Sequence, residues 1–220
     1  FSHGLRACAE HYKLPLLGGD TTRGPLCISF HVHGAVPKNG GLRRNGARVG
    51  DSIYVSGSLG DAAAGLAILQ YELTASSSQT NFLLSRFFKP EARLALGECL
   101  LGIANSAVDI SDGLIADLSH IVNKSGVGAE LELANLPLAA ALQSLPDQAQ
   151  ALQWALSGGD DYELCFTASD EHTGLLQEYA DLLGVAITEI GQIVKGQGVK
   201  CIHPEGAAFK PESSGFEHFA

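Results

Sequence analysis

The sequence predicts a layered α/β fold, with helices packed on a mixed sheet. Two observations carry this reading. Apolar residues recur at helical spacing in some segments and at alternate positions in others, and the two kinds of segment interleave with no internal repeat or low-complexity tract. The length of 220 residues predicts one large domain, or one complete domain and part of another, at the usual ~150 residues per domain.

Leu5, Cys8, Ala9 and Tyr12 make one helical face over 1–13. The short apolar run 14–17 and the alternating segment 26–36 read as strands flanking the glycine-bounded loop 18–24. Residues 37–50 hold Gly40, Gly41, Gly46 and basic residues without periodicity, so a domain boundary is expected there, dividing 1–36 from 37–220. Beyond it the pattern gives a strand over 52–56 and a helix over 61–71 with Asp61 as N-cap. A polar loop at 76–79 precedes helices over 81–88 and 91–104. A strand over 107–110, a helix over 113–123 and a strand over 129–133 follow. After an Ala/Leu/Gln-rich helical region come a strand over 162–167 and a helix over 170–183. Segments 185–194 and 199–202 read as a terminal strand pair turned at 195–198.

Composition narrows the function. A formal charge of −10, with no basic cluster, argues against a nucleic-acid partner. No stretch approaches the ~18 apolar residues that cross a bilayer, so no membrane association is expected. The five cysteines form no CxxC pair and read as reduced core residues of a cytoplasmic protein. The chain has no methionine and begins at Phe1 inside a helical pattern, so it is expected to continue a longer protein.

Three loops could carry chemistry. In Gly18-Gly19-Asp20-Thr21-Thr22-Arg23-Gly24, glycines admit a ligand to the backbone and Arg23 offers a planar fork to phosphate; spacing alone favours the alternative, a hairpin turn with one exposed arginine. In Asp109-Ile110-Ser111-Asp112-Gly113, two carboxylates three residues apart leave the end of a strand, where magnesium can sit beside phosphates. The alternative is that Ser111 or Asp112 caps the next helix. In Ser157-Gly158-Gly159-Asp160-Asp161-Tyr162-Glu163, three acids in four residues suit a cationic ligand or metal, or form a solvated turn. The glycine loop 56–61 lacks GxGxxG and a phosphate-loop lysine, and reads as packing and capping. The eight histidines form no zinc ligand set, and no GxSxG elbow is present.

Taken jointly, LLGGDTTRGPL at 16–26, GDSIYVSGSLGDAAAGL at 50–66, VDISDGLIADLSHI at 108–121, WALSGGDDYELCFT at 154–167 and GFEHF at 215–219 resemble the thiamine-monophosphate kinase family. That family falls in the superfamily of aminoimidazole ribonucleotide synthetase. The resemblance implies that 1–36 ends an N-terminal ATP-binding and dimerisation domain and that 37–220 is the C-terminal α/β domain. It implies transfer of the terminal phosphoryl group of ATP to thiamine monophosphate with several Mg²⁺ ions, in a cytoplasmic homodimer. Arg23 and Ser111 would contact ATP, Asp109 and Asp112 would ligate Mg²⁺, and Asp160 and Phe216 would hold thiamine monophosphate; no acid, base or nucleophile is implied. Further acidic metal ligands of the family's N-terminal third do not occur here, so the 220 residues alone are expected to be inactive. The rival expectations are another enzyme of the superfamily with a different acceptor, and a nucleotide-binding module without turnover.

Overall fold

The computed structural model describes residues 1–38, 40–213, 215 and 216. It divides into two compact units, Phe1–Ala35 and Val36–Ala220.

In the first unit, helix α1 (Ser2–His11) turns Leu5, Ala9 and Tyr12 to its half-buried side, the predicted stripe, while Cys8 is exposed. Segments 14–17 and 26–36 are not strands, although 26–36 keeps its apolar alternation. A strand needs a neighbour to take up its backbone N–H and C=O groups, and no described residue of this unit supplies one.

The second unit is built on a sheet of seven strands among the described residues: β1 (Ser52–Ser56), β2 (Ser106–Asp109), β3 (Gly128–Glu132), β4 (Leu164–Ala168), β5 (Ile187–Val194), β6 (Gly198–Ile202) and β7 (Ala208–Phe209). Their order is β2-β4-β1-β5-β3-β6-β7, with only β3 and β6 parallel. β1 is central and buried along its whole length, with Ile53 and Val55 facing one core and Tyr54 the other. Tyr54 stacks on its cross-strand partner Phe166, with ring centroids 5.4 Å apart.

The larger core lies beneath α5 (Leu114–Ser125), whose buried Leu114, Leu118, Ile121 and Val122 share a face as expected. On the other face, α4 (Leu94–Cys99) and α8 (Thr173–Leu183) supply Leu96 and Leu176. A smaller cluster joins α2 (Asp61–Leu69), α3 (Ser77–Phe88), α6 (Ala140–Gln143) and α7 (Gln148–Ser157). The fold class is the predicted one.

Several expectations are corrected. The loop 76–79 opens α3, because Ser76 and Gln79 form a reciprocal capping box. The helix expected over 91–104 shortens to α4, since the chain turns so that Asn105 N–H reaches the Thr167 carbonyl at 2.8 Å and Ser106 enters β2. Segments β5 and β6 do not pair with each other, because β3 lies between them. The link 195–197 spans four Cα steps, up to about 13 Å, enough to cross two strand spacings of about 9.6 Å. Of the cysteines, Cys165 and Cys201 are buried, whereas Cys8 and Cys27 are exposed and Cys99 is intermediate. Burial pushes the two core thiols up, to about 12 and about 11.

Candidate active site at the end of β2

Beyond Asp109 the chain leaves the sheet but keeps its hydrogen bonding. Ile110 N–H donates to the Glu163 carbonyl at 2.8 Å, and the next three carbonyls accept from other loops. Ile110 C=O accepts from Tyr162 N–H (2.8 Å), Ser111 C=O from Asp160 N–H (3.0 Å) and Asp112 C=O from Phe216 N–H (2.9 Å). One three-residue stretch thus gathers the 157–163 loop and the chain end. The close approach requires Gly159, where a Cβ would lie 2.3 Å from the Ser111 oxygen.

Asp117, one turn into α5, holds this stretch in place. Its Oδ2 accepts from Ser111 N–H at 2.9 Å and Asp112 N–H at 3.0 Å. The N-cap of α5 is Gly113 and no side chain caps it, so neither Ser111 nor Asp112 acts as the alternative reading had it. Burial raises the Asp117 carboxyl, against the lowering effect of the two N–H donors.

The acidic loop splits by alternation. Asp161 and Glu163 turn inward and are buried, which overturns the solvated-turn reading for both. Asp161 accepts from Gly60 N–H (2.8 Å) and Ala62 N–H (3.3 Å), and so caps α2 from a distant part of the chain. The N-cap of α2 is Gly60, not Asp61. Burial pushes the Asp161 carboxyl up to about 7, the two N–H groups opposing it.

Glu163 accepts from Ser56 Oγ (2.6 Å), Arg93 Nε (2.7 Å), Arg93 Nη2 (2.6 Å) and Arg86 Nη2 (2.7 Å). The carboxylate fills the hollow over Gly57, where a Cβ would stand 2.2 Å from its Oε1. Asp61, also buried, accepts from Ser58 Oγ and lies 3.6 Å from Arg86 Nε. The loop 56–61 is therefore the wall of a buried ionic cluster as well as a cap.

Asp160 and Tyr162 point the other way, with φ of +64° and +51°. Such left-handed backbone costs about 1–3 kcal/mol per residue unless its surroundings hold it. Here Asp161 and Glu163 anchor the alternate positions. The Tyr162 hydroxyl donates to Asp160 Oδ1 at 3.2 Å. Its phenol is raised first by burial, then by the charge and hydrogen bond of Asp160 and by the charges of Asp109 and Asp112.

Of the residues expected from sequence, Asp109, Ser111, Asp112, Asp160 and Phe216 are brought together. Arg23 belongs to the first unit, exposed in the bend at 23–25. Residues 217–219 of the GFEHF motif lie outside the described residues. Asp117, Tyr162 and the Glu163–Arg86–Arg93 cluster were missed; an acid five residues past Asp112 and the alternation of 160–163 were the available signals.

Asp109 and Asp112 are hard oxygen donors at a strand end. Mg²⁺ is commonly held by one or two carboxylates, with water and substrate phosphates completing its octahedron. The donor chemistry fits such a partial site, and among the described residues no cluster of three His, Cys, Asp or Glu side chains forms a complete cage.

The class is set by residues 48–204, which match the C-terminal domain of AIR synthase related proteins. The thiamine-monophosphate kinase of Escherichia coli K12 is 46% identical over 221 residues, covering 100% of this chain and 68% of the relative. Among solved structures, the thiamine-monophosphate kinase of Stenotrophomonas maltophilia K279a superposes with a TM-score of 0.70 at 43% identity, over 76% of this chain and 54% of that one. AaThiL complexed with AMPPCP and TMP gives 0.68 at 36% identity, over 81% and 54%. The chain thus spans about two thirds of its curated relative and about half of each solved chain. It belongs to the thiamine-monophosphate kinase family.

Proposed function

We infer that this chain supplies the C-terminal part of an enzyme that transfers the terminal phosphoryl group of ATP to the phosphate of thiamine monophosphate, giving ADP and thiamine diphosphate. The observation that carries it is the set of three consecutive carbonyls that hold Tyr162, Asp160 and Phe216 beside Asp109 and Asp112. Carboxylates beside exposed aromatic residues are the groups that suit a flat cationic heterocycle and a metal–phosphate group, and they support this reading. The relative complexed with AMPPCP and TMP supports ATP and thiamine monophosphate as the pair.

On this reading Asp109 and Asp112 hold Mg²⁺, which when bound offsets the charge of the crowded phosphates. Ser111 and Arg23 contact ATP. Asp160 faces the thiazolium and Phe216 its aromatic ring. The protein's part is positioning and electrostatics rather than covalent chemistry. Segment 1–36 is read as the end of an ATP-binding and dimerisation domain, and the exposed alternate residues Ile28, Phe30 and Val32 support association through it. A cytoplasmic location is consistent with the finding that no helix among the described residues is long and apolar enough to cross a membrane.

The test is ADP release by the natural protein with ATP, Mg²⁺ and thiamine monophosphate, run beside other phosphate and ribonucleotide acceptors. Turnover with a different acceptor and none with thiamine monophosphate would overturn the reading.

A further inference from the structure

The carbonyls of Ile110, Ser111 and Asp112 fix three residues in a row: Tyr162, Asp160 and Phe216. In the order of these backbone partners Asp160 comes between two exposed aromatic residues, Tyr162 at 38% and Phe216 at 63% exposure. The Tyr162 hydroxyl reaches Asp160 Oδ1 at 3.2 Å. Its backbone, at φ +51°, lies where Asn or Gly is at ease and a bulky residue is an outlier. Local conformation therefore does not account for a tyrosine at this position. Nor does core packing, since Tyr162 keeps 38% of its surface exposed and belongs to none of the buried clusters among the described residues.

Acidic charge beside exposed aromatic rings is the chemistry that recognises a flat organic cation, through the ring quadrupole and a facing carboxylate. We propose that Tyr162 is a further acceptor-binding residue, its ring forming a wall opposite Phe216 against the thiazolium and its hydroxyl orienting the Asp160 carboxylate. The proposal rests on thiamine monophosphate being the acceptor.

The experiment is steady-state kinetics on the natural protein and its Tyr162→Leu and Tyr162→Phe variants. Two acceptors are used: thiamine monophosphate and its uncharged thiophene isostere. Tyr162→Leu is expected to raise KM for thiamine monophosphate about tenfold and Tyr162→Phe about threefold, in line with a partly desolvated cation–π contact and one lost hydrogen bond. KM for ATP should stay within about twofold, and the isostere should lose less than about threefold in Tyr162→Leu, because the interaction removed acts on ring charge. An equal loss with both acceptors, a raised KM for ATP, or no change in either variant would overturn the proposal. Near-UV circular dichroism checks each fold; should Tyr162→Leu unfold, Tyr162→Phe beside Tyr162→Trp decides, the tryptophan being expected to bind at least as tightly as phenylalanine. If the unsubstituted protein does not phosphorylate thiamine monophosphate, the functional reading fails first, in an experiment that involves no variant.

Discussion

Glu163→Gln tests whether the inward acids of the 160–163 loop hold its outward residues in place. The native carboxylate takes four donors, three of them from Arg86 and Arg93, whose side chains are only 15% and 11% exposed. Glutamine keeps the shape, but its amide nitrogen must face either the two Nη2 groups or the Ser56 hydroxyl and Arg93 Nε. In the better orientation the hydroxyl can rotate to accept, so one charge-assisted bond and the ion pairing are lost. Breaking a buried pair costs about 3–5 kcal/mol. Because both guanidinium groups keep some water, the lower end applies, about 3 kcal/mol. For a domain of this size that is roughly 6–12 °C in melting temperature. Burial alone would raise the Glu163 carboxyl, but Arg93, Ser56 and Arg86 together bring it below its ordinary 4.5. Its contribution is thus complete above that value and is lost as pH falls through the folded pKa. The assay is thermal unfolding followed by circular dichroism at neutral pH, with Glu163→Gln/Arg93→Gln as the coupled control, which should recover part of the loss. A shift below about 2 °C, or strict additivity in the double variant, would refute the clamp.

The Asp161 carboxyl, raised from 3.8 to about 7, makes the opposite prediction: between those values the folded state keeps a proton that the unfolded chain has released. Stability should fall by roughly 2–3 kcal/mol from pH 5 to pH 7 through this group, and denaturant titrations of Asp161→Asn should show a flatter profile. Asp117→Ala strands the Ser111 and Asp112 N–H groups and should lower turnover at least about tenfold, while Asp117→Asn, which keeps an accepting oxygen, should lose less. Asp112→Asn should lower kcat by at least about a hundredfold with little change in melting temperature, through weaker charge neutralisation in the transition state. Arg23→Lys should weaken ATP use because an ammonium lacks the forked donor geometry; unchanged kinetic constants would make it a bystander.

Periodicity made much of the second unit legible. Strand β1 appears with its predicted bounds, and α5 buries its predicted face, because in both the local pattern and the tertiary environment agree. The failures are non-local. Whether β5 and β6 pair or admit β3 between them is decided by β3, which lies about sixty residues upstream, and a short turn fits both arrangements. The cap of α2 comes from Asp161, a hundred residues away, whereas the local sequence offers only Asp61. Segment 26–36 has strand alternation but no neighbour in its own unit, and alternation alone makes no sheet. At the site, spacing picked out Asp109 and Asp112 at a strand end and the acids of 160–163 as a group, while only the family resemblance singled out Asp160. Spacing could not separate Asp160 from Asp161 by role, because adjacent acids differ only in which way the pleat turns them.

On the proposed reading, that alternation also bears on how an acidic chain can serve phosphates. With a formal charge of −10, indiscriminate exposure of its acids would repel both proposed substrates. The loop instead removes two of its three acids from the surface: Glu163 is matched by two guanidinium groups, and Asp161 is buried over α2's N-terminus, where it accepts from the Gly60 and Ala62 N–H groups. The outward charge is then that of Asp109, Asp112 and Asp160, all three of which act on the Tyr162 phenol. A bare phosphate brought to this surface meets like charge, whereas a metal-bound phosphate or a heteroaromatic cation meets attraction. On the proposed reading, selection for metal-complexed nucleotide and cationic acceptor therefore follows from the same division of acids that anchors the loop. Neutralising Glu163 should disturb both, whereas neutralising Asp160 should weaken acceptor binding and leave the fold intact.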